Sequence, residues 1–469
     1  MRATWVLFLA CLVVGGGVAS AQTPSSDAGI AALRAELQAE RARIETLQHE
    51  LDARLDALAA LSARIDAVSG APAGPAAAVP APPAPGVVAQ VPVSPPESPA
   101  APAPPRFDFY ADTLVRLATL HQGYDGCEGC PDRNIGRMRL RMGVEGRLGP
   151  GVRGVLGLST GELNDPNSVF QTFGGNLGRK AATFDRGFIS YRPTRAPWVE
   201  VSAGKFPYPW TRSSMTFDVD FYPEGASERV TWESKRRGVL RGLSLQGMQV
   251  VVNEQPEGAD TLLVGGQATA TIAWRGVTTR ALATAIDVRR PDFVLRAQQD
   301  GTDISVRNTN AIVGPAPLSR YLSGFRYANL IVENTVATRW PALPLTVTLE
   351  WQRNVKAATT RDSAASFRAE AGRQVRRGDW FASWHVFRVE QDAIVSALGE
   401  SDWRAPSNVL QHRFGLVYTA QEHVQTLFTW YRGRTLDTGV ADAVVVPGLR
   451  PGAREPWANR LYFDVVYRF

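Results

Sequence analysis

From Arg106 to Phe469 apolar and polar residues alternate with period two, in segments of about ten residues. The clearest segment is 137–148, where Met138, Leu140, Met142, Val144 and Leu148 fall on one face. Arg137, Arg139, Arg141, Glu145 and Arg147 fall on the other. The segment that opens the series sets Phe107, Phe109, Ala111, Thr113, Val115 and Leu117 against Asp108, Asp112 and Arg116. The one that closes the chain places Leu461, Phe463, Val465, Tyr467 and Phe469 opposite Asp464 and Arg468. Strands that are greasy on one side, charged on the other and finished by an aromatic carboxy terminus suit a wall between lipid and a wet interior. A sheet in lipid cannot leave its edges unpaired, so such strands imply a closed all-β transmembrane barrel.

The pattern predicts sixteen strands, near 107–120, 136–148, 152–161, 183–192, 198–206, 223–233, 237–251, 260–274, 276–289, 323–338, 343–355, 363–376, 379–391, 409–420, 422–433 and 460–469. The pair around Trp232 to Arg237 is the weakest, and it leaves fourteen or eighteen open. Short connections at 149–151, 193–197, 234–236, 275, 339–342, 377–378 and 421 interleave with long ones at 162–182, 207–222, 290–322, 392–408 and 434–459. That interleaving is expected of a barrel with short internal turns and long external loops. Trp198, Trp274, Trp340 and Trp380 fall at or beside short turns, where an aromatic girdle meets the membrane boundary. A soluble β-sandwich would show similar alternation, but fully charged strand faces leave it no dry second layer.

The segments before residue 106 have other periods. Residues 1–21 carry Arg2, an apolar run from Trp5 to Val14 and the small-residue site Ala19-Ser20-Ala21, the layout of a cleaved secretory signal. Phe-Leu-Ala before Cys11 is a poor lipidation box. Within residues 22–70 a heptad places Ile30, Leu37, Ile44, Leu51, Leu58 and Ile65 at a, with Leu33, Glu40, Leu47, Arg54, Leu61 and Val68 at d, which predicts a periplasmic coiled coil and self-association. At ~1.5 Å per residue this helix would reach ~60 Å. Residues 71–105 hold 13 Pro among Ala and Gly and predict an extended, semi-rigid linker. The coil and linker could span from the outer membrane towards peptidoglycan, so a structural anchor is the alternative to a channel.

Charge changes the picture in one respect. The formal net charge is +6, yet residues 22–70 are net −3 and the segment after Pro105, with 45 basic and 36 acidic residues, is net +9. No basic tail or aromatic-basic cluster accompanies this excess, which argues against nucleic acid as a partner. Arg137, Arg139, Arg141, Arg147 and Arg153, with Asp108, Asp112 and Glu145, are the candidate lumen-lining charges. Arginine there favours anions; cross-strand pairing with the acids would instead brace the wall. Arg212, Asp218 and Asp220 in 207–222 could set opposite charges across a constriction if that loop, or 290–322, folds inward.

Cys127 and Cys130 lie in the first external loop. Of a redox motif, half a zinc site and a local disulfide, the disulfide suits an oxidising compartment that offers no second Cys-x-x-Cys and no pair of His partners. The expected native mass is about two units below that of the reduced chain, and free thiols titrating in native protein would refute the bond. The five His are scattered, and no nucleophile with a nearby base, metal-ligand set or phosphate loop is present, so no catalytic site, metal or cofactor is expected. His385, Arg388 and Glu390 could be drawn as a hydrolase cluster but are better explained as strand residues.

Four stretches, Gly136 to Asn167, Phe184 to Pro193, Val201 to Trp210 and Phe217 to Gly225, resemble the "putative porin" family of Gram-negative outer membranes, related in architecture to phosphate-selective porins. The resemblance covers roughly residues 106–469. It implies a sixteen-stranded, trimeric channel with its coiled coil in the periplasm, and it does not identify the solute. Passive diffusion of small hydrophilic solutes is the expected function, with outer-membrane lipid and, through the aromatic last strand, the barrel-assembly machinery as expected partners. Only Lys180, Lys205, Lys235 and Lys356 are available, so the Lys-rich ladder of phosphate-selective members is missing.

Overall fold

A computed structural model describes Gln38 and residues 107–121, 132–163, 165–174, 177–234, 238–255, 258–300, 307–316 and 318–469. The signal, coiled coil, linker and Cys127–Cys130 pair lie outside the described residues. Sixteen long antiparallel strands follow in order: β1 (Phe107–His121), β2 (Arg133–Gly149), β3 (Val152–Thr160), β4 (Ala182–Tyr191), β5 (Val199–Lys205), β6 (Glu224–Glu233), β7 (Leu240–Asn253) and β8 (Thr261–Trp274). After them come β9 (Val277–Arg289), β10 (Phe325–Val336), β11 (Leu345–Asn354), β12 (Ser363–Gly372), β13 (Trp380–Val389), β14 (Val409–Gln421), β15 (Val424–Thr435) and β16 (Ala458–Arg468). One helix, α1 (Asp292–Asp300), lies between β9 and β10. A two-residue strand, Gln171–Thr172, joins the sheet beside β2, and a small separate ladder pairs Ile312–Val313 with Arg320–Tyr321.

Every long strand pairs with its sequence neighbours, and β1 pairs with both β2 and β16, so the sheet closes on itself. The closing ladder runs to the last residue. The N–H of Ala111 donates to the carbonyl of Phe469 (2.9 Å), and that of Phe469 donates back to Ala111 (3.0 Å). Closure removes the unpaired edge that an open sheet would present.

The period-two pattern explains which way each side chain points. Phe109, Leu117, Ile189, Leu245 and Phe463 are exposed on the outside, while Leu114, Arg116, Tyr462 and Asp464 on the alternate positions are buried inside. Trp198, Trp274, Trp340 and Trp380, with Trp232, are all about half exposed at the end of the barrel where the short turns lie. Arg275 and Gly276 make the tightest of these turns. Both have positive φ (47° and 81°), as a two-residue hairpin of the primed type requires.

The largest difference from the expected strands is at β12, which ends at Gly372 and not at residue 376. Gly372 has φ 104°, and the Asp379 carboxylate accepts the N–H groups of Val375 (3.0 Å) and Arg376 (2.8 Å). These contacts curl the chain into a turn although the alternation of charges continues.

A second difference concerns the interior. The segments 206–223 and 390–408, with residues 290–300, 307–316 and 318–324, fold against the inward faces of the strands, where one inward loop was expected. Trp210, Met215, Phe217 and Phe221 from the first, Val294 and Leu295 from α1, and Ile394, Leu398 and Trp403 from the third form one apolar cluster with lumen-facing Met248, Leu263, Phe325, Tyr327 and Phe387. The lumen is therefore dry on the side of β7–β13 near the loops. Each buried aromatic there contributes roughly 1.5–3 kcal/mol by transfer from water.

Candidate functional site

The other side of the lumen is charged. Arg116 on β1, Arg137, Arg139 and Arg141 on β2, Arg186 on β4, Arg413 on β14 and Arg460 on β16 occupy inward positions of the ladder. A register shift at Asp185 lets both Asp185 and Arg186 turn inward, as bulges in barrel walls commonly allow. The Arg186 guanidinium lies over the rings of Tyr110 (4.9 Å) and Tyr222 (5.5 Å).

Two inward segments bring carboxylates to this wall. Asp220 in 206–223 accepts from Arg141 Nη2 at 2.8 Å, and Asp185 lies 3.7 Å from Arg141 Nε. Asp402 in 390–408 accepts from Arg116 Nη1 (3.3 Å) and from the Tyr462 hydroxyl (3.1 Å), while its carbonyl accepts from Arg460 Nη1 (2.8 Å). Burial alone would raise the Asp402 carboxyl, but Arg116, Arg460 and Tyr462 hold it below the usual range. Glu400 forms no ion pair among the described residues, with Arg413 as its nearest cation by charge effect. Burial, with the nearby charges of Asp402 and Asp220, pushes it up to about 7.

The segment 390–408 is held by amide side chains that read its backbone. Asn310 Nδ2 donates to the carbonyls of Gln391 and Ile394 (2.7 Å each), Asn354 Nδ2 to Asp392 (2.8 Å), Gln352 Nε2 to Ala393 (3.1 Å) and Asn167 Nδ2 to Ala397 (2.8 Å). Tyr327 Oη accepts from the N–H of Val395 at 2.7 Å. An irregular segment inside a barrel needs this, because each unpaired buried peptide group costs about 1–3 kcal/mol. The length and position of 392–408 predict an external loop. The apolar run Ala393-Ile-Val-Ser-Ala-Leu398 was the signal that it packs inside.

The expected residues fall as follows. Arg139 pairs with Asp112 (2.9 Å) and Arg153 with Glu145 (2.5 Å), so both brace the wall. Arg137 sits beside Arg116 in register, its Nε buried without a partner, and Arg147 is exposed near the turn end. Asp108 faces Glu145 across the strands. Leu461, Phe463, Val465, Tyr467 and Phe469 are all outward and exposed.

Two constriction residues act otherwise than expected. Arg212 donates to the carbonyls of Phe217 (3.0 Å) and Asp218 (2.7 Å) and stacks on Tyr208 (4.7 Å), so it staples its own loop and, among the described residues, forms no ion pair across the lumen. Asp218 is 1% exposed and accepts the N–H groups of Asp220 and Ser401 (2.8 Å each), which joins the two inward segments. Burial, next to Glu400 and Asp220, raises its carboxyl well above the usual value. Asp220 alone of the three meets a wall arginine.

His385 and Arg388 lie on opposite faces of β13. His385 turns inward towards Glu370 (3.7 Å) and Arg388 outward to Glu390 (2.9 Å), so they form no common site. Among the described residues no group of His, Cys, Asp and Glu could hold a metal ion, and no helix is long and apolar enough to cross a membrane.

The architecture is thus a closed sixteen-stranded antiparallel barrel with a charged lumen narrowed by its own loops. The sequence model of the family described as "Putative porin" matches residues 127–288, which take in Arg137, Arg139 and Arg141, the Asp185 bulge and the first inward loop. Solved structures similar to this chain include an anion-selective porin from Comamonas acidovorans, 11% identical, over 77% of this chain and 99% of that one, TM-score 0.45. Another is OmpF of Salmonella typhi in complex with daunomycin, 10% identical, over 77% and 97%, TM-score 0.44. A third is a loop-deletion mutant of OmpT, an outer membrane protein of Vibrio cholerae, 8% identical, over 77% and 99%, TM-score 0.42. A search of curated protein sequences finds no match.

Proposed function

We propose that the protein is an outer-membrane porin, a channel rather than an enzyme, through which small hydrophilic solutes diffuse passively with a mild preference for anions. The observation that carries this reading is the opposition in the lumen of wall arginines to carboxylates borne by 206–223 and 390–408, inside a barrel whose outer face is apolar. Rings of charge at a narrow, poorly hydrated passage bias which ions enter.

Anion preference is supported by an imbalance in the pairing. Arg137 and Arg413 lie within ion-pair distance of no carboxylate among the described residues, whereas Asp112, Asp220, Asp402 and Asp464 are each matched to an arginine. Burial raises the carboxyl of Asp218 and moves that of Glu400 to about 7, so both oppose the positive wall less than ordinary carboxylates would. The coiled-coil seam from Ile30 to Val68 supports self-association, and a homotrimer belongs to the same proposal, as do a secreted, membrane-inserted chain and a periplasmic amino-terminal segment.

The experiment is conductance of the purified protein in a planar bilayer under a salt gradient. The expected reversal potential has the sign of anion preference, and Arg137→Gln with Arg413→Gln should move it towards zero. A cation-selective wild-type pore would defeat the selectivity claim, and a bilayer with no conductance would defeat the channel.

A further inference from the structure

The outer surface carries a second group of arginines that the lumen does not use. On β14 and β15 the outward positions near the loops pair Leu410 with Arg434, His412 with Arg432 and Phe414 with Trp430. Their direction is fixed by the alternation, since Leu416 and Phe428 on the same faces are exposed while Tyr431 on the alternate face is buried in the lumen. An arginine on the lipid-facing side of a barrel is costly at mid-membrane and tolerated near the interface. Two of them, two residues apart on one strand, need a reason.

Arg388 lies on the same outward face, next to Leu410. Arg361 and Arg454 reach in from the loops, and together these side chains line a cleft of about 470 Å³ with Glu390, Asp437 and Glu455. Two of the arginines are balanced: Arg361 pairs with Asp437 (2.8 Å) and Arg388 with Glu390 (2.9 Å). Glu455 is turned away. It is fully enclosed, bound to Arg404 (2.6 Å), and accepts the N–H groups of Thr435 (2.6 Å) and Val446 (3.0 Å). Arg432, Arg434 and Arg454 have no carboxylate within ion-pair distance among the described residues.

The floor beside the cleft is aromatic. Arg434 and Arg432 lie 4.6 and 5.1 Å from the centre of the Trp457 ring, and His412 meets that ring edge-on at 5.4 Å. From there His412, Phe414 and Trp384 stack along the outer wall, with Trp430 over Phe414 at 5.1 Å. Trp430 is itself fixed by donating to Asn459 Oδ1 (3.1 Å). The site offers the unbalanced guanidinium groups of Arg434 and Arg454 in the cleft, with that of Arg432 beside it against Trp457, and a rigid apolar shelf below. Its complement is an amphiphile that is multiply anionic at one end, and guanidinium forks match phosphate oxygens in pairs.

We propose that this cleft binds the phosphorylated headgroup of an anionic outer-leaflet lipid, whose chains lie on the shelf of Trp384, Phe414 and Trp430. The inference rests on the reading of the barrel as an outer-membrane protein with its long loops outside.

The test is native mass spectrometry of the full chain in detergent, titrated with diphosphorylated lipid A, with its dephosphorylated form, and with inorganic phosphate. The expected result is one lipid A retained per barrel, with about tenfold weaker retention of the dephosphorylated form and about tenfold weaker retention by Arg434→Gln or by Arg454→Gln. Arg454 lies in a loop outside the barrel wall, so its variant reports on the site even should Arg434→Gln fail to fold. Equal retention by wild type and Arg454→Gln would overturn the proposal. So would displacement of lipid A by millimolar inorganic phosphate, which would make this a free-phosphate site. Conductance of the same samples separates the two readings: variants that lose lipid and still conduct support the cleft, and a barrel that holds lipid without conducting removes only the channel.

Discussion

Replacing Arg116 with Ala is expected to destabilise the folded barrel by about 3–5 kcal/mol, because it strands the buried Asp464 carboxylate and removes one of the partners of Asp402. Arg116 donates through Nε (2.9 Å) and Nη2 (3.0 Å) to both oxygens of Asp464 on β16, and through Nη1 (3.3 Å) to Asp402 in the inward segment. Its guanidinium lies 4.2 Å from the centres of both the Phe170 and Tyr462 rings. One side chain thus ties the first strand to the last and both to the constriction. Asp464 is 3% exposed, so water cannot replace the lost partner. The measurement is the urea midpoint in detergent, followed by the heat-dependent mobility of the folded barrel. Arg147→Ala, at an exposed position, should change stability by no more than about 0.5 kcal/mol. Arg116→Ala combined with Asp464→Ala should recover part of the loss, since the uncompensated charge is then gone. If Arg116→Ala unfolds at the same midpoint as Arg147→Ala, the tie across the seam contributes nothing.

The barrel wall was legible because one physical division, grease outward and charge inward, is written into every strand at period two. Thus 137–148 gave its facing correctly residue by residue, and the strand limits near 152, 274 and 409 agree with the structure to within a residue. The interior was less legible, because a segment that crosses a lumen has no periodicity of its own. It is specified by what it meets. The contacts of Asn310, Asn354 and Gln352 with the backbone of 390–408 join residues far apart in the chain, and no local pattern announces them. Arg212 and Asp218 show the same limit. Their charges suggested a field across the pore, yet Arg212 satisfies carbonyls of its own loop and Asp218 satisfies the N–H of Ser401. Composition shows that a charge is present but not whether a backbone group or a solute will be its partner.

Glu400 should make the docked loops sensitive to pH in the alkaline direction. Its carboxyl lies in the lumen near Asp402, Asp220 and Asp218, with Arg413 as the neighbouring cation and Ser214 as a hydrogen-bond donor, and burial with like-charge repulsion moves it from the ordinary 4.5 to about 7. A carboxyl that holds its proton more tightly when folded contributes stability that is complete below its unfolded value and is lost as pH rises through the folded one. At about 1.4 kcal/mol per unit, the loss on passing from pH 5 to pH 9 is on the order of 3 kcal/mol, with the steepest change between about pH 5 and pH 7 and a levelling off above about pH 8. Asp218, raised for the same reason, adds in the same direction. The strain falls where the charges meet, at the junction of 206–223 with 390–408. Trypsin cleavage after Arg404 should therefore accelerate from pH 6 to pH 9 in the detergent-solubilised barrel by more than the enzyme's own pH profile accounts for. Open-channel noise should increase over the same interval. Glu400→Gln keeps the shape and cannot ionise, so it should flatten both profiles and leave the loops better docked at pH 9. Should Glu400→Gln and wild type share one pH profile, ionisation at this position does not govern the constriction, and the carboxyl is stabilised by a partner other than its proton.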